Sequence, residues 1–170
     1  MENNLFLGYL FTVLNYAFYC ISRFCRKKNQ MLLLDLLSKI SFVIGMVFMG
    51  SLSGAYSMLV NFTYLIFANI KERKQYKWPA LYIIFQLLLI CTMINSFAGI
   101  SSILICISTS ISLLSVWWLS PQKMRLAGLA ANVSTLLYHF SLRNWAGLCE
   151  ILVIGSNIVS YVKYKKSSSF

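Results

Sequence analysis

The feature that most constrains this chain is a succession of long apolar runs separated by short polar or basic segments. A helix needs about 20 mostly apolar residues to cross the hydrocarbon core of a bilayer. Seven stretches approach that length: Leu5–Ile21, Met31–Met49, Ser53–Ile70, Pro79–Ile94, Gly99–Leu119, Met124–Leu142 and Trp145–Val162. Only 11% of the 170 residues are charged, whereas a soluble domain carries about 25%. The composition therefore predicts an all-α membrane protein and excludes a soluble domain, a disordered tail and a disulfide-rich secreted module.

The second and third stretches meet at Gly50-Ser51-Leu52-Ser53-Gly54. Two glycines so close together favour a tight turn between two spans. The alternative, one uninterrupted helix from Met31 to Ile70, would be longer than a bilayer accommodates. The first stretch precedes its basic cluster, whereas a cleavable signal peptide carries positive charges before its apolar run. We therefore expect Leu5–Ile21 to be a retained span.

Basic residues are concentrated in alternate connections. The first connection holds Arg23, Arg26, Lys27 and Lys28, and the third holds Lys71, Arg73, Lys74 and Lys77. The fifth holds Lys123 and Arg125, and the C-terminal tail holds Lys163, Lys165 and Lys166. The even-numbered connections hold only Arg143. Because short cytoplasmic loops collect lysine and arginine, this alternation predicts seven spans with the N-terminus outside and the C-terminus in the cytoplasm, whereas six spans would misplace one cluster. We attribute the net charge of +11 to topology, with lipid headgroups rather than nucleic acid as the partner.

The chain also contains a weak internal repeat. Met31–Arg73 aligns without gaps on Met124–Lys166, and the alignment pairs similar apolar residues, Gly54 with Gly147, and two basic ends. With the charge alternation, this predicts two parallel three-helix bundles related by an axis near the membrane normal. The predicted parts are a first bundle over residues 1–74, a linker helix over 75–96 and a second bundle over 97–170.

Short motifs in both halves carry a family resemblance. They are Met49-Gly-Ser-Leu-Ser-Gly-Ala-Tyr-Ser-Met-Leu-Val-Asn61 in the first half, and Met124-Arg-Leu, Gly147-Leu-Cys-Glu150 and Asn157 in the second. The chain resembles the YgjV-type family of small bacterial inner-membrane proteins, within the MtN3/PQ-loop superfamily that includes SWEET sugar facilitators and PnuC-type vitamin transporters. The resemblance implies a SWEET-like 3+1+3 fold. It also implies that an asparagine from the third span and one from the seventh, here Asn61 and Asn157, face a central substrate.

Polar residues within the predicted spans are the candidate functional groups. An ionisable side chain at mid-bilayer costs about 2.5–3.5 kcal/mol on insertion scales, so it is a functional hypothesis by default. We expect a cavity that holds a neutral or zwitterionic solute, with aromatic walls from Tyr64 or Tyr138. Its candidate substrate-binding residues are Lys39, Asn61, Asn132, Glu150 and Asn157. The alternative is that these groups only join helices through interhelical polar contacts.

Other pairings of ionisable residues are open at this point. Asp35 and Lys39 are four residues apart on one helix and are expected to neutralise each other, although Lys39 could reach Glu150 instead. His139 and Cys149 could form an intramembrane cysteine protease, but no third orienting group accompanies them, and an enzyme is not expected. The sequence offers too few clustered ligands for a metal, and no cofactor is expected.

We therefore predict a multi-pass protein of the bacterial inner membrane that transports or facilitates passage of a small polar, sugar-like or vitamin-like solute. The rival is a membrane protein without transport activity that acts as a partner-binding, sensory or immunity subunit. The sequence does not determine the substrate, the direction of transport or the oligomeric state, and a homo-oligomer is among the assemblies considered.

Overall fold

The computed structural model describes residues 2–74 and 78–167, and within them the chain is helical with short connections. The α-helices are α1 (Glu2–Arg23), α2 (Lys28–Phe48), α3 (Leu52–Lys74), α4 (Pro79–Asn95), α5 (Ile100–Trp118), α6 (Pro121–Ser141) and α7 (Glu150–Ser167). A 3₁₀ turn over Trp145–Cys149 leads directly into α7. Lys77, which the charge pattern assigned to the third connection, lies outside the described residues.

Several of these helices have the length and apolarity of a membrane span. They are Asn4–Arg23, Lys28–Phe48, Ile100–Trp118 and the combined segment Trp145–Lys165, while α4 is equally apolar but shorter. α3 and α6 are long enough, but polar side chains interrupt their apolar character, and many of these are buried, such as Ser57 and Asn61 on α3. These two helices therefore direct polar groups into the protein.

The predicted tight turn between α2 and α3 is present and is shorter than the sequence indicated. Gly50 has a φ of +72°, the Ser51 N–H donates to the Met46 carbonyl over 3.0 Å, and the Gly50 N–H donates to Val47. This is the Schellman arrangement, which needs a left-handed residue after the helix and favours glycine there. Gly54, expected in the turn, instead lies inside α3.

The helices form a ring with one helix outside it. α2 packs between α1 and α3, α6 packs between α5 and α7, and the ring closes where α3 meets α5 and where α1 meets α7. α4 packs on the outside against α3 and α5, and buries only Phe85 and Leu89. The ring order is therefore α1, α2, α3, α5, α6, α7.

The sequence alignment that pairs Met31 with Met124 also pairs the boundaries of the helices. Under this alignment the residue range of α2 coincides with that of α6, and the range of α3 coincides with that of the 3₁₀ turn together with α7. It also pairs Gly50 with Arg143, which has a φ of 53° and ends α6 with the same pattern of backbone hydrogen bonds. The two segments thus share their helix lengths and the conformation of the turn between them.

Two apolar clusters lie along the ring at different levels. The first joins α2, α3, α4, α5 and α6 around Tyr64, Leu113 and Trp117. The second joins α2, α3, α5 and α6 around Phe42, Met58 and Tyr138. Along α2, α5 and α6, the polar cavity positions described below fall between the residues of one cluster and those of the other.

Two arginines differ from their predicted surroundings. Arg23 and Arg125 were assigned to loops facing lipid headgroups, and each is instead only 2% exposed. The reason is that each guanidinium has protein partners: Arg23 binds the Asp35 carboxylate, and Arg125 binds backbone carbonyls at the end of α1. These two charges therefore belong to the interior of the helix bundle.

Candidate functional site

A polar cavity lies at the centre of the ring, and each ring helix contributes to its lining. Its walls are formed by Asn15, Tyr16 and Tyr19 of α1, Lys39 and Phe42 of α2, Met58 and Asn61 of α3, Ser108 and Ser112 of α5, Ala131, Asn132 and Thr135 of α6, and Glu150 of α7. The external helix α4 contributes no lining residue. We refer to this space as the central cavity.

The central cavity is narrow. The space that water can occupy in it is about 20 Å³, and roughly 10–15 Å³ is needed to hold one water molecule. A sugar or a vitamin is far larger than this space. The conformation described here is therefore closed around its polar centre.

The structure brings together most of the predicted site residues. Lys39, Asn61, Asn132 and Glu150 all line the central cavity, although they come from four different helices. Asn157 is fully buried but lies elsewhere, where its Nδ2 donates to the Val153 carbonyl over 3.2 Å and its amide packs against Gly128 of α6. The asparagines of the third and seventh spans thus do not face one common space in this conformation.

The expected pair between Asp35 and Lys39 is wrong. Asp35 accepts hydrogen bonds from Arg23 Nη2 and Ser22 Oγ, both from the end of α1. Lys39 lies one turn farther along α2, with its Nζ 5.0 Å from the centre of the Tyr19 ring. The direct ion pair of Asp35 is therefore with Arg23, and the Lys39 side chain borders the central cavity.

Several polar atoms of the cavity lining have no protein partner. The Asn61 Nδ2 donates to Ser112 Oγ over 3.2 Å, but its Oδ1 accepts no hydrogen bond. The Nδ2 of Asn132 is likewise buried and has no partner among the described residues. Leaving a buried polar group unpaired costs about 1–3 kcal/mol. The lining therefore offers an amide acceptor and an amide donor to a molecule inside it.

The two sides of the central cavity differ in charge. The side formed by α7, α1 and α2 carries Glu150 and Lys39, with Tyr16 and Tyr19 between them on α1. The side formed by α3, α5 and α6 carries amides and hydroxyls, and no ionisable group among its lining residues. We call the first the charged wall and the second the neutral wall.

Sequence reasoning missed the contribution of α1 and the hydroxyls of α5. Asn15 accepts a hydrogen bond from Ser38 of α2 over 2.6 Å, and Ser108 shares one of 2.6 Å with Thr135 of α6. The aromatic part of the cavity lining comes from Tyr16, Tyr19 and Phe42 rather than from the predicted Tyr64 or Tyr138. Tyr64 instead packs in the first apolar cluster, and Tyr138 in the second. The spacing of Asn15, Tyr16 and Tyr19 on one side of α1 was the available signal for this wall.

Both ends of the ring are closed around the central cavity. At one end Arg125 of α6 donates from Nε to the Arg23 carbonyl over 3.1 Å and from Nη2 to the Cys25 carbonyl over 2.8 Å. At the other end the Tyr138 hydroxyl lies 2.7 Å from Ser51 Oγ in the α2–α3 turn. Ser51 also borders two surface depressions of about 150 and 380 Å³.

The side chain of His139 packs among aromatic rings and lies beside Asn144 in the connection between α6 and α7. Its Nδ1 lies 2.9 Å from Asn144 Nδ2, and its ring contacts Tyr16, Phe42 and Tyr138. Gly147 lies so close that a Cβ built there would meet the His139 Cβ at 2.2 Å. The histidine therefore holds the connection between α6 and α7 in place.

Comparison with known proteins gives one family. A family model named Imp-YgjV, described as a bacterial inner membrane protein, matches residues 6–168. No curated protein and no solved structure matches the chain.

Proposed function

Because the chain belongs to the Imp-YgjV family of bacterial inner membrane proteins, we propose that it carries a small polar solute across that membrane through the central cavity. In this proposal all seven helices cross the bilayer, with the N-terminus outside and the C-terminus in the cytoplasm. α3 and α6 cross with their polar side chains turned toward the ring interior, where other helices shield them from lipid.

We further propose that the ring consists of two three-helix units, α1–α3 and α5–α7, joined by α4. Two observations support this organisation. The contacts of α1, α2 and α3 with their neighbours have the same pattern as those of α5, α6 and α7, and the helix bounds of the second and third helices repeat. Transporters built from such repeats bind their substrates where the repeats meet, near the bilayer midplane.

The observation that carries the proposal is the buried polar lining with its unpartnered amide atoms. Asn61 is fully buried and Asn132 is 4% exposed, yet one amide atom of each lacks a hydrogen bond. A helix bundle without a ligand would lower its free energy by pairing or replacing such groups. Their retention at the meeting point of six helices fits a site that exchanges protein contacts for contacts with a solute.

In the proposed cycle, the solute binds to Lys39, Asn61, Asn132 and Glu150, while Asn157 packs α7 against α6. Because the cavity described here holds little more than a water molecule, the helices must separate before a larger solute enters. Breaking the Ser51–Tyr138 contact opens one end, and releasing Arg125 from the end of α1 opens the other. Only one of these closures is released at a time.

The test is solute entry into proteoliposomes, followed by light scattering after an osmotic step with uncharged polyols and small zwitterions. Wild-type protein is expected to accelerate entry of at least one solute over protein-free vesicles. Asn61→Leu and Asn132→Leu are each expected to reduce this entry at least tenfold, since they remove the amides from the cavity. Asn95→Leu is the matched control, because Asn95 is an exposed residue at the end of α4.

Two outcomes contradict the proposal. The first is that folded wild-type protein accelerates no solute. The second is that Asn61→Leu and Asn132→Leu protein, folded as judged by gel filtration, transports as fast as the Asn95→Leu control. Either result favours a second candidate, a membrane protein without transport activity that acts through a partner. The narrowness of the cavity supports that candidate, since a ring that stays closed would need no access route.

A further inference from the structure

The central cavity contains one acidic and one basic side chain, Glu150 and Lys39. Glu150 is only 3% exposed, and Lys39 faces the same cavity. Both residues lie in the described part of the chain, and no direct ion pair joins them, whereas Arg23 and Asp35 nearby do form one. α1 packs between the helices that carry Lys39 and Glu150 and contributes Tyr16 and Tyr19 to the same wall.

An uncompensated charge in a membrane interior is costly, and each of these two would be better stabilised by a direct counter-charge. The protein meets this need for Asp35 with Arg23, which shows that the local packing permits buried ion pairs. Lys39 and Glu150 have no such direct ion pair within the described residues, so each is available to a counter-charge from outside the chain once the helices separate.

The neutral wall adds directional hydrogen bonding opposite these charges. Asn61 presents an unpartnered carbonyl oxygen, and Asn132 presents an unpartnered Nδ2 donor. The Tyr16 hydroxyl lies on the charged wall beside Glu150. A molecule in the cavity therefore meets a basic and an acidic side chain together with an amide donor and an amide acceptor.

We infer that the solute of this cavity is a small zwitterion, whose carboxylate binds the Lys39 ammonium and whose ammonium binds the Glu150 carboxylate. This inference rests on the proposed function and names the class of its substrate. With such a solute bound, both protein charges and both solute charges are paired, and the filled cavity is neutral overall. The Asn61 oxygen and the Asn132 amide then accept from and donate to the same two groups of the solute.

Other solute classes leave part of this arrangement unused. A simple cation is attracted by Glu150 but repelled by Lys39, and the reverse holds for a simple anion. An uncharged polyol leaves both protein charges paired only with hydroxyls, which are weaker partners than opposite charges. The balanced pair of charges therefore selects for a solute that is itself balanced.

The first experiment uses wild-type protein in lipid nanodiscs and measures the Tm with a matched panel of probes at neutral pH. The zwitterions are glycine, β-alanine and γ-aminobutyrate, which vary the separation between the charges. The singly charged controls are propanoate and propylammonium, and the uncharged controls are glycerol and erythritol. Because a ligand that binds the native state raises stability, at least one zwitterion is expected to give a saturable rise in Tm of about 2–4 °C that no control gives.

The second experiment tests the two charges with variants. Lys39→Met and Glu150→Gln are each expected to weaken binding of the stabilising zwitterion about thirtyfold or more, because each removes one charged partner. Lys123→Met and Glu72→Gln make the same changes outside the cavity and are expected to retain wild-type affinity. If a cavity variant does not fold, the wild-type panel decides alone.

The inference is overturned if no zwitterion raises the Tm, or if a singly charged or uncharged probe does so equally well. Stabilisation by a polyol alone, with polyol entry into proteoliposomes, overturns the zwitterion but leaves the proposed transport intact. Stabilisation by a zwitterion that never crosses the proteoliposome membrane supports the ligand class and contradicts transport. The two proposals can therefore fail separately.

Discussion

At the scale of single residues, two pairs of ionisable side chains have different surroundings in this protein. Arg23 and Asp35 neutralise each other, and the Arg23 guanidinium also lies 4.2 Å from the centre of the Tyr19 ring. Lys39 and Glu150 face a cavity instead. The first pair holds α1 on α2, while the second is left for the function that we propose.

Breaking the Arg23–Asp35 ion pair is expected to cause the largest loss of stability. Asp35→Asn leaves the Arg23 guanidinium buried without its counter-charge, and breaking a buried pair in this way costs about 3–5 kcal/mol. Glu72→Gln is the matched control, because Glu72 pairs with Lys28 at 3.1 Å where both side chains reach solvent, and such a pair contributes roughly 0–1 kcal/mol. Thermal unfolding of both variants in detergent measures the difference, and equal Tm values would contradict this assignment.

Two glycines allow a similarly matched comparison. A Cβ at Gly54 would meet the Tyr138 Oη at 2.0 Å, so Gly54→Ala must displace the tyrosine that bonds to Ser51. Overpacking of this kind costs about 1–3 kcal/mol. At Gly155 of α7 a Cβ meets nothing within 4 Å, and Gly155→Ala is expected to be neutral or slightly stabilising. A Gly54→Ala protein as stable as the wild type would show that Tyr138 moves freely.

At the scale of helices, one side chain of α6, Arg125, joins that helix to the end of α1. Arg125 donates to two carbonyls at the end of α1 and, from Nη1, to Gln122 Oε1 over 2.8 Å, and its guanidinium lies 4.6 Å from the centre of the Tyr164 ring. Since Tyr164 in turn donates to the Phe24 carbonyl over 2.6 Å, the ends of α1, α6 and α7 meet at this point. This junction closes one end of the ring.

Removing the Arg125 guanidinium is expected to loosen the end of α1. Each hydrogen bond to a charged donor contributes about 1.5–3 kcal/mol, so Arg125→Gln should speed amide hydrogen exchange in residues 20–27 at least tenfold. Lys123→Gln, an exposed position on the same helix, is the control and should leave exchange there unchanged. Unchanged exchange in Arg125→Gln would mean that α1 is held by its packing alone.

Hydropathy and charge were sufficient to predict the helices themselves, because apolar runs must be bounded by turn residues and charges. The predicted stretches differ from the observed helices mainly at their ends, where α3 extends to Lys74 and the seventh stretch begins as a 3₁₀ turn. The partners of Arg23 and Arg125 could not be predicted, since the side of a helix end that meets its neighbour depends on packing. The same holds for Asn157, whose contact with Gly128 follows from the angle between two helices.

At the scale of the whole molecule, the ring places its polar groups inside and its apolar side chains outside. Large exposed apolar residues occur on every helix, for example Leu126, Leu152 and Ile84, and this exterior suits lipid. Sequence alone placed Lys39, Asn61, Asn132 and Glu150 at membrane depth. It could not show that they converge, because their convergence depends on the order of the helices around the ring.

The proposed orientation is tested with single cysteines in a protein whose five native cysteines are replaced by serine. Phe97→Cys, in the α4–α5 connection, is expected to react with a membrane-impermeant maleimide in intact spheroplasts. Ser120→Cys, in the α5–α6 connection, should react only after permeabilisation, because it lies at the end rich in lysine and arginine. Labelling of both positions from the same side would contradict the crossing of α5.

The polar character of α3 and α6 has a consequence for biogenesis. A translocon releases nascent segments into lipid one or two at a time, and segments rich in asparagine and serine partition poorly when they are alone. α3 and α6 each follow a strongly apolar helix, α2 and α5, with which they pack. In the proposed topology, we therefore expect each of these polar helices to enter the membrane together with the apolar helix that precedes it.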